Sequence, residues 1–393
     1  MKSALLQNYN RYPVEFVKGK GSKLYDKTGK EYLDFLSGIA VTSFGHQHSE
    51  ITTAVNEQLN KLWHVSNLFE ATPQGTLANK LTTSTGMDSV FFCNSGSEAN
   101  EAAIKFSRKW GGERKNIIVT NGSFHGRTMG SLSATGQSKL WQGFAPMLPG
   151  FTFVDFNNLK QIKNSIDENT CAIMVEPIQG ESGVIVPDEN YLSGLRDICD
   201  ENNVLLILDE VQTGIGRTGK LFANQYYNII PDILTSAKGL ANGLPLGATI
   251  CSENISKVIK PGDHGSTFGG NPISVAAANI VLDLLSDNEL KNILDIGNSF
   301  KELLSKINSP LIKSIRGKGL MIGAEFSKPV AKIIAKELLN EGIVVGNSGD
   351  TVLRLLPPFI ISEDDIHNFV KIFIFVLERL SFSQRLSDIS AQN

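Results

Sequence analysis

Lys238 and Asp209 are the residues of this 393-residue chain whose type and spacing most constrain its chemistry. Asp209 closes the apolar run Val204-Leu205-Leu206-Ile207-Leu208. Lys238 follows a second apolar run, Ile233-Leu234, within Thr235-Ser236-Ala237-Lys238-Gly239-Leu240. If both runs are buried parallel strands one strand-helix unit apart, their carboxyl ends align and the two side chains meet in one crevice. A lysine amine placed there can form a Schiff base with an aldehyde. The carboxylate can keep a pyridine nitrogen protonated, so that the ring draws electrons from a carbon being deprotonated. These are the demands of a pyridoxal 5'-phosphate site.

Further segments supply what such a site needs. Asn94-Ser95-Gly96-Ser97-Glu98 follows a strand-like run ending at Cys93 and opens a helix with apolar positions Ala99, Ala102, Ala103 and Phe106. Ser95 and Glu98 fit the S-x-x-E capping box. A helix start offers unpaired N–H groups and a positive dipole end, so Gly96 and Ser97 are the candidate phosphate cradle. After Asp209, Val211 can pack on one ring face and Gln212 can bond a ring oxygen, while Phe124 can stack on the other face. Arg127 offers a fork for a carboxylate. His125, beside them, has no expected role beyond local packing. Glu176 and Glu181 follow another strand, and Arg354 lies inside the apolar stretch Val352-Leu353-Arg354-Leu355-Leu356, where its charge must meet solvent, an acid or a ligand. Gly214-Ile215-Gly216-Arg217-Thr218-Gly219 fits G-x-G-x-x-G. However, it does not follow its strand directly and has no strand-end acid downstream, which argues against a nicotinamide site; it is expected to shape an irregular loop beside the cofactor.

The elements that must hold these residues are legible as patterns. Strand-like runs at Val90–Phe92, Ile117–Val119, Ala172–Val175 and Val204–Leu208 alternate with helical stretches, which predicts an α/β architecture with a mostly parallel sheet covered by helices. An N-terminal hairpin about Asp26-Lys27-Thr28-Gly29, strands at Leu320–Phe326 and Val352–Leu356, and helices at Val330–Leu339 and Ile366–Leu380 predict a smaller α+β unit. The division expected is a large cofactor-binding domain at 46–284 and a small domain formed by 1–45 and 285–393, with a polar, loose tail from Ser381. A net charge of −3 and a pI near 6.1 carry no nucleic-acid footprint or polybasic membrane patch. The four cysteines form no C-x-x-C pair and read as buried thiols of a reducing, cytoplasmic compartment. No metal site, signal core or membrane span is expected.

Taken together, the segments NSGSEANEAA, SFHGRT, EPIQGESG, LDEVQTGIGRTG, SAKGLANGLPLGA and GSTFGGNP resemble the class III, ornithine-type pyridoxal-phosphate aminotransferases, over about Tyr9 to Leu380. The resemblance implies a fold-type I homodimer in which Lys238 forms the Schiff base, Asp209 meets the ring nitrogen and Gln212 the ring oxygen. It also implies that Thr267 reaches the partner's cofactor phosphate, that Ser266 lies near the substrate, and that Glu181 alternately covers and frees Arg354. Within the class the chain is most similar to the acetylornithine branch, because Gly38-Ile39-Ala40-Val41 stands where ornithine-specific members carry a tyrosine, and Ile39 there offers only apolar surface, which suits an uncharged acylated nitrogen. The implied substrates are N2-acetylornithine and 2-oxoglutarate. Ornithine, succinylornithine and 4-aminobutyrate are the alternative donors, and an aminomutase is the alternative reaction class.

Overall fold

The run ending at Asp209 is fully buried because it lies in the middle of a seven-stranded sheet. A computed structural model describes residues 4–391, with side chains through Phe382. The chain forms β1 (Phe16–Lys20), β2 (Lys23–Asp26) and β3 (Glu31–Asp34), then β4 (Ser89–Cys93), β5 (Asn116–Thr120), β6 (Phe151–Val154), β7 (Thr170–Val175), β8 (Leu205–Asp209), β9 (Ile233–Ser236) and β10 (Gly247–Cys251). The last strands are β11 (Ile312–Lys318), β12 (Met321–Phe326), β13 (Ile343–Val344), β14 (Gly346–Ser348) and β15 (Val352–Leu355).

The large sheet has the order β4-β10-β9-β8-β7-β5-β6. Strands β5 to β9 pair in parallel, and β10 runs antiparallel to both of its neighbours. Every residue of β7 and β8 is buried. That is why these strands read as unbroken apolar runs rather than as alternating ones. The small-residue strand Gly247-Ala248-Thr249-Ile250-Cys251 carried no such signal, yet it is the piece that seats β4 and the turn after it beside β9.

Two four-stranded sheets complete the molecule, β1-β2-β3-β13 and β11-β12-β15-β14. Ile343 pairs with Leu33 in parallel, so N-terminal and C-terminal segments share one sheet. On that pairing we propose that residues 1–45 and 285–393 form the smaller unit and residues 46–284 the larger. The closing helix Glu363–Ala391 carries Glu363, Asp364 and Asp365 in its first turn, where the dipole favours acids, and buries Phe369, Phe373, Val376 and Leu377. It continues beyond Leu380, so residues 381–391 are helical where a loose tail was expected; Gln392 and Asn393 lie outside the described residues.

The joint between helix Asp287–Ser305 and the turn before β12 is a contact of two glycines. A Cβ on Gly297 would stand 2.2 Å from the Gly319 carbonyl oxygen and 2.3 Å from its carbon. Backbone atoms cannot swing aside. Gly297→Ala is expected to lower unfolding free energy by roughly 1–3 kcal/mol, read as a lower denaturant midpoint at unchanged slope.

Candidate active site

Strands β8 and β9 pair in parallel with Asp209 opposite Thr235, and Lys238 follows three residues further on. The predicted meeting of acid and lysine at adjacent strand ends is thus the geometry observed. Both line a cavity of about 420 Å³ together with Ser95, Gly96, Ser97, Phe124, Arg127, Glu181, Val211 and Gln212. That volume suits a cofactor-sized ligand. A larger groove of about 1380 Å³, walled by Lys80, Gln225 and Lys291, contains none of these residues. Lys238 keeps some accessible surface where it faces the cavity, and burial holds its amine below the ordinary lysine value, with the Arg354 charge adding to the effect.

Asp209 is buried and held by donors on two sides. His125 Nδ1 lies 2.8 Å from Oδ2, and Asn100 Nδ2 donates to the same oxygen at 2.7 Å. The Val211 N–H reaches Oδ1 at 3.1 Å. Asn100 is itself fixed, because its Nδ2 also donates to the His125 carbonyl at 2.7 Å and its Oδ1 accepts from Thr235 Oγ1 at 2.8 Å. His125 therefore does more than pack locally, contrary to expectation: it orients the acid. Asn100 went unnoticed, although a polar residue beside Ala99, Ala102 and Ala103 on the buried face of a helix must find partners.

The phosphate turn forms as its sequence predicts, with one change. Ser95 Oγ caps the helix Gly96–Trp110 by accepting from the Glu98 N–H at 3.2 Å. The Glu98 carboxylate accepts from the Asn94 N–H at 2.7 Å, one residue before the cap. Gly96 lies against Val211, and a Cβ there would come within 2.7 Å of Val211 Cγ1. Ser97 Oγ accepts the Arg127 N–H at 2.9 Å, which joins the helix start to the turn that bears Arg127. Ser266 Oγ accepts from Asn94 Nδ2 at 3.1 Å, so the Gly265–Gly270 segment is tied to the cradle, whereas Thr267 is exposed and stands outside the cavity lining of its own chain.

On the opposite side Glu181 Oε1 pairs with Arg354 Nη1 at 2.5 Å. Arg354 is buried in β15 and is flanked in register by Gly323 on β12 and Gly346 on β14, two residues that leave its side chain room. Burial pushes the Glu181 carboxyl up, but the charges of Arg354 and Lys238 outweigh it and hold the group below the usual carboxylate value. Glu176 accepts from the N–H groups of Phe124 at 3.0 Å and Gly180 at 3.3 Å, so it fixes both the stacking platform and the turn leading to Glu181. Of the segment expected to set donor choice, Val41 lines the cavity, whereas Ile39 is 38% exposed on the outer side of its turn. The glycine-rich loop also departs from expectation. Beyond Gln212 it turns away from the cavity, and Gly216 and Gly219 pack instead against Leu285 and Leu294.

These residues fit pyridoxal phosphate. Among the described residues no donor reaches the buried Oε1 of Gln212, as expected of an atom that meets a ring hydroxyl, and Gly96 leaves a close backbone approach at a helix start. The fold and site define a fold-type I pyridoxal-phosphate enzyme. The family description Aminotransferase class-III matches residues 5–377, and the chain belongs to that family. It is 45% identical over 389 residues to an acetylornithine aminotransferase of Caldanaerobacter subterraneus subsp. tengcongensis, covering 97% of this chain and 99% of the relative. An ornithine aminotransferase of Toxoplasma gondii, described with partial occupancy of PLP at its active site, superposes with a TM-score of 0.93 at 34% identity, covering 97% and 94% of the two chains. An N-acetylornithine aminotransferase of Stenotrophomonas maltophilia superposes with a TM-score of 0.84 at 32% identity, covering 95% of each.

Glu210, next to Asp209, has its own pocket and accepts from Thr213 Oγ1 at 2.6 Å and from the N–H groups of Ala223 at 2.9 Å and Asn224 at 2.8 Å. Burial nevertheless pushes its carboxyl up to about 7. The native state therefore holds a proton that the unfolded chain releases near the ordinary glutamate value of 4.5. This contribution to stability is complete at low pH and lost as pH rises through about 7. Denaturant midpoints measured from pH 5 to 8 are expected to fall less steeply in Glu210→Gln than in the parent.

Proposed function

We propose that the chain transfers the δ-amino group of N2-acetyl-L-ornithine to 2-oxoglutarate, giving N-acetyl-L-glutamate 5-semialdehyde and L-glutamate, a step of arginine biosynthesis in the cytoplasm. The observation that carries this reading is the Lys238–Asp209 strand-end pair sharing one cavity with the Glu181–Arg354 pair. The near-equal coverage and 45% identity with an acetylornithine aminotransferase supports the choice of donor.

When bound, the cofactor supplies an aldehyde that accepts the amine and a ring that takes up electrons from the carbon being deprotonated. Gly96 and Ser97 would hold its phosphate, Val211 and Phe124 its ring faces, Asp209 its nitrogen and Gln212 its ring oxygen. Lys238 would be its covalent anchor. Burial keeps the Lys238 amine easy to deprotonate, so Nζ can take the proton from the amine-bearing carbon of the substrate and would pass it to the cofactor rather than back to that carbon. His125 and Asn100 keep Asp209 oriented during that transfer.

The two half-reactions differ in charge beside the reacting carbon. A δ-amine has no carboxylate there, and Glu181 then neutralises Arg354, the arrangement seen in the structure. 2-Oxoglutarate brings its α-carboxylate, which Arg354 binds once Glu181 withdraws. Arg127, at the cavity rim, grips the distal carboxylate in both halves. Val41 gives the cavity mouth an apolar wall suited to an uncharged acylated nitrogen.

The enzyme acts as a homodimer in this reading. Trp63, Leu68, Phe69 and Phe268 are exposed apolar side chains, and the segments that bear them are joined by hydrogen bonds from Asn271 to Trp63 and from Asn67 to Ser266 and Gly269. Such a surface is suited to a second copy, with Thr267 reaching the partner's phosphate.

Borohydride reduction of the holoenzyme followed by peptide mapping is expected to label Lys238, and Lys238→Ala to abolish turnover; a label elsewhere refutes the assignment. Among amine donors tested with 2-oxoglutarate, N2-acetylornithine is expected to give the highest kcat/KM. Arg354→Ala is expected to impair the 2-oxoglutarate half in single-turnover experiments far more than the donor half, and equal losses would refute the charge switch.

A further inference from the structure

The glycine-rich loop that leaves the cofactor cavity carries Arg217, a large side chain that is 1% exposed. Among the described residues no carboxylate pairs with it. Its Nη1 donates to the carbonyls of Pro357 at 2.6 Å and Leu320 at 3.0 Å, and its Nη2 to Ser43 Oγ at 3.2 Å. Its guanidinium carbon lies 4.7 Å from the centre of the Phe359 ring. The contact is reciprocal, because the Leu320 N–H donates to the Arg217 carbonyl at 3.1 Å and the Phe359 N–H to the Ser43 carbonyl at 2.6 Å. Burial pulls the group down to about 9, with Asp34 the opposing charge, so it remains protonated at neutral pH.

A joint that had only to be filled would be made more cheaply by leucine or methionine, since a buried cation with neutral partners carries a desolvation penalty. A guanidinium adds direction: its planar Nη1 group fixes two carbonyls at once while Nη2, held rigidly beside it, fixes the Ser43 hydroxyl. The two carbonyls it fixes bracket the strand pair that bears the substrate-binding arginine. Leu320 immediately precedes β12, Pro357 stands three residues beyond Arg354, and β12 and β15 are in register at Gly323 and Arg354. The other end of the clasp belongs to the loop that begins at Asp209.

We propose that Arg217 is a positioning residue for the 2-oxo-acid half of the reaction: by clasping Leu320, Pro357 and Ser43 to the loop after Asp209, it sets where the Arg354 guanidinium stands relative to the cofactor. The proposal rests on the reading that Arg354 binds the α-carboxylate of the oxo acid. The amine-donor half, in which Glu181 covers Arg354, depends on this distance less.

The test compares holoenzymes of the parent, Arg217→Met, Arg217→Lys and Arg354→Ala in single-turnover half-reactions, with calorimetric titration of glutarate as a non-reacting dicarboxylate. In Arg217→Met the half-saturating 2-oxoglutarate concentration is expected to rise about tenfold and glutarate affinity to fall about tenfold, while the donor half stays within about twofold, with Arg217→Lys recovering part of the loss. Equal losses in both halves, or no change in glutarate affinity, overturn the proposal. If Arg217→Met does not fold, Arg217→Lys and Ser43→Ala carry the test, and the absence in both of a bias against 2-oxoglutarate overturns it. Arg354→Ala separates the two readings. If it is selective and the Arg217 variants are not, the positioning role falls alone; if it is not selective, both fall.

Discussion

A carboxylate buried at the end of a parallel strand is costly unless donors surround it, and the architecture of this enzyme follows from meeting that cost at Asp209. One oxygen is shared by His125 from the turn after β5 and by Asn100 from the helix after β4. The acid can thus keep its place in the cavity lining, where the proposed reading has it meet a pyridine nitrogen, only if three separate strand-to-helix connections arrive in register. The parallel pairing of β5, β7, β8 and β9 provides that register, and the reversed strand β10 brings β4 and its cradle to the same end of the sheet. Lys238 then needs only to leave the neighbouring strand.

The second half of the site obeys a different rule. In the proposed reading Arg354 meets a carboxylate in one half-reaction and none in the other, so a permanent buried partner would defeat it. Glu181 solves this by sitting at the end of a turn rather than within a strand. It is more accessible than the arginine, with 28% of its side chain exposed against 5%, and so is the partner able to move. Glu176, by contrast, is fixed by two backbone donors and cannot leave. Two acids five residues apart on the same turn thus differ in burial and fixation, one a brace and the other, in the proposed reading, a switch.

Much of this was legible in the sequence, and the unread parts share a cause. Asp209 stands out because an unbroken apolar run locates its strand and the first polar residue after it locates the strand's carboxyl end, and Lys238 because it lies just beyond the shorter run Ile233-Leu234, past Thr235 and Ser236. The helix start at Ser95 could be read because capping is local, although the glutamate chose the Asn94 N–H over the cap's own. His125, Asn100 and Arg217 could not be read as partners, since each acts on residues 84, 109 and 140 positions away in the chain. A polar residue on an apolar helix face or a charge in a glycine loop signals that a partner exists, without naming it. The same holds for Ile39 and Val41, where the direction of the backbone, not the residue types, decides which side chain meets the cavity.

That backbone direction is itself strained. Ser37, Gly38, Ile39 and Ala40 have φ values of 52°, 61°, 71° and 61°, and Lys238 has 46°. For residues bearing a Cβ, the left-handed region costs roughly 1–2 kcal/mol each, and a β-branched isoleucine is among the least suited to it. The turn persists because the buried Asp34 accepts the Leu36 N–H at 3.0 Å and the Ser37 N–H at 2.7 Å, while its other oxygen takes His46 at 2.9 Å. The two segments lie close together: a Cβ on Gly239 would lie 2.7 Å from Ser43 Oγ and 3.7 Å from the Ala40 carbonyl. The N-terminal turn that brings Val41 to the cavity and the short helical turn that bears Lys238 are therefore neighbours, and in the proposed reading the strain in them is the cost of holding a reactive amine and an apolar wall at fixed separation.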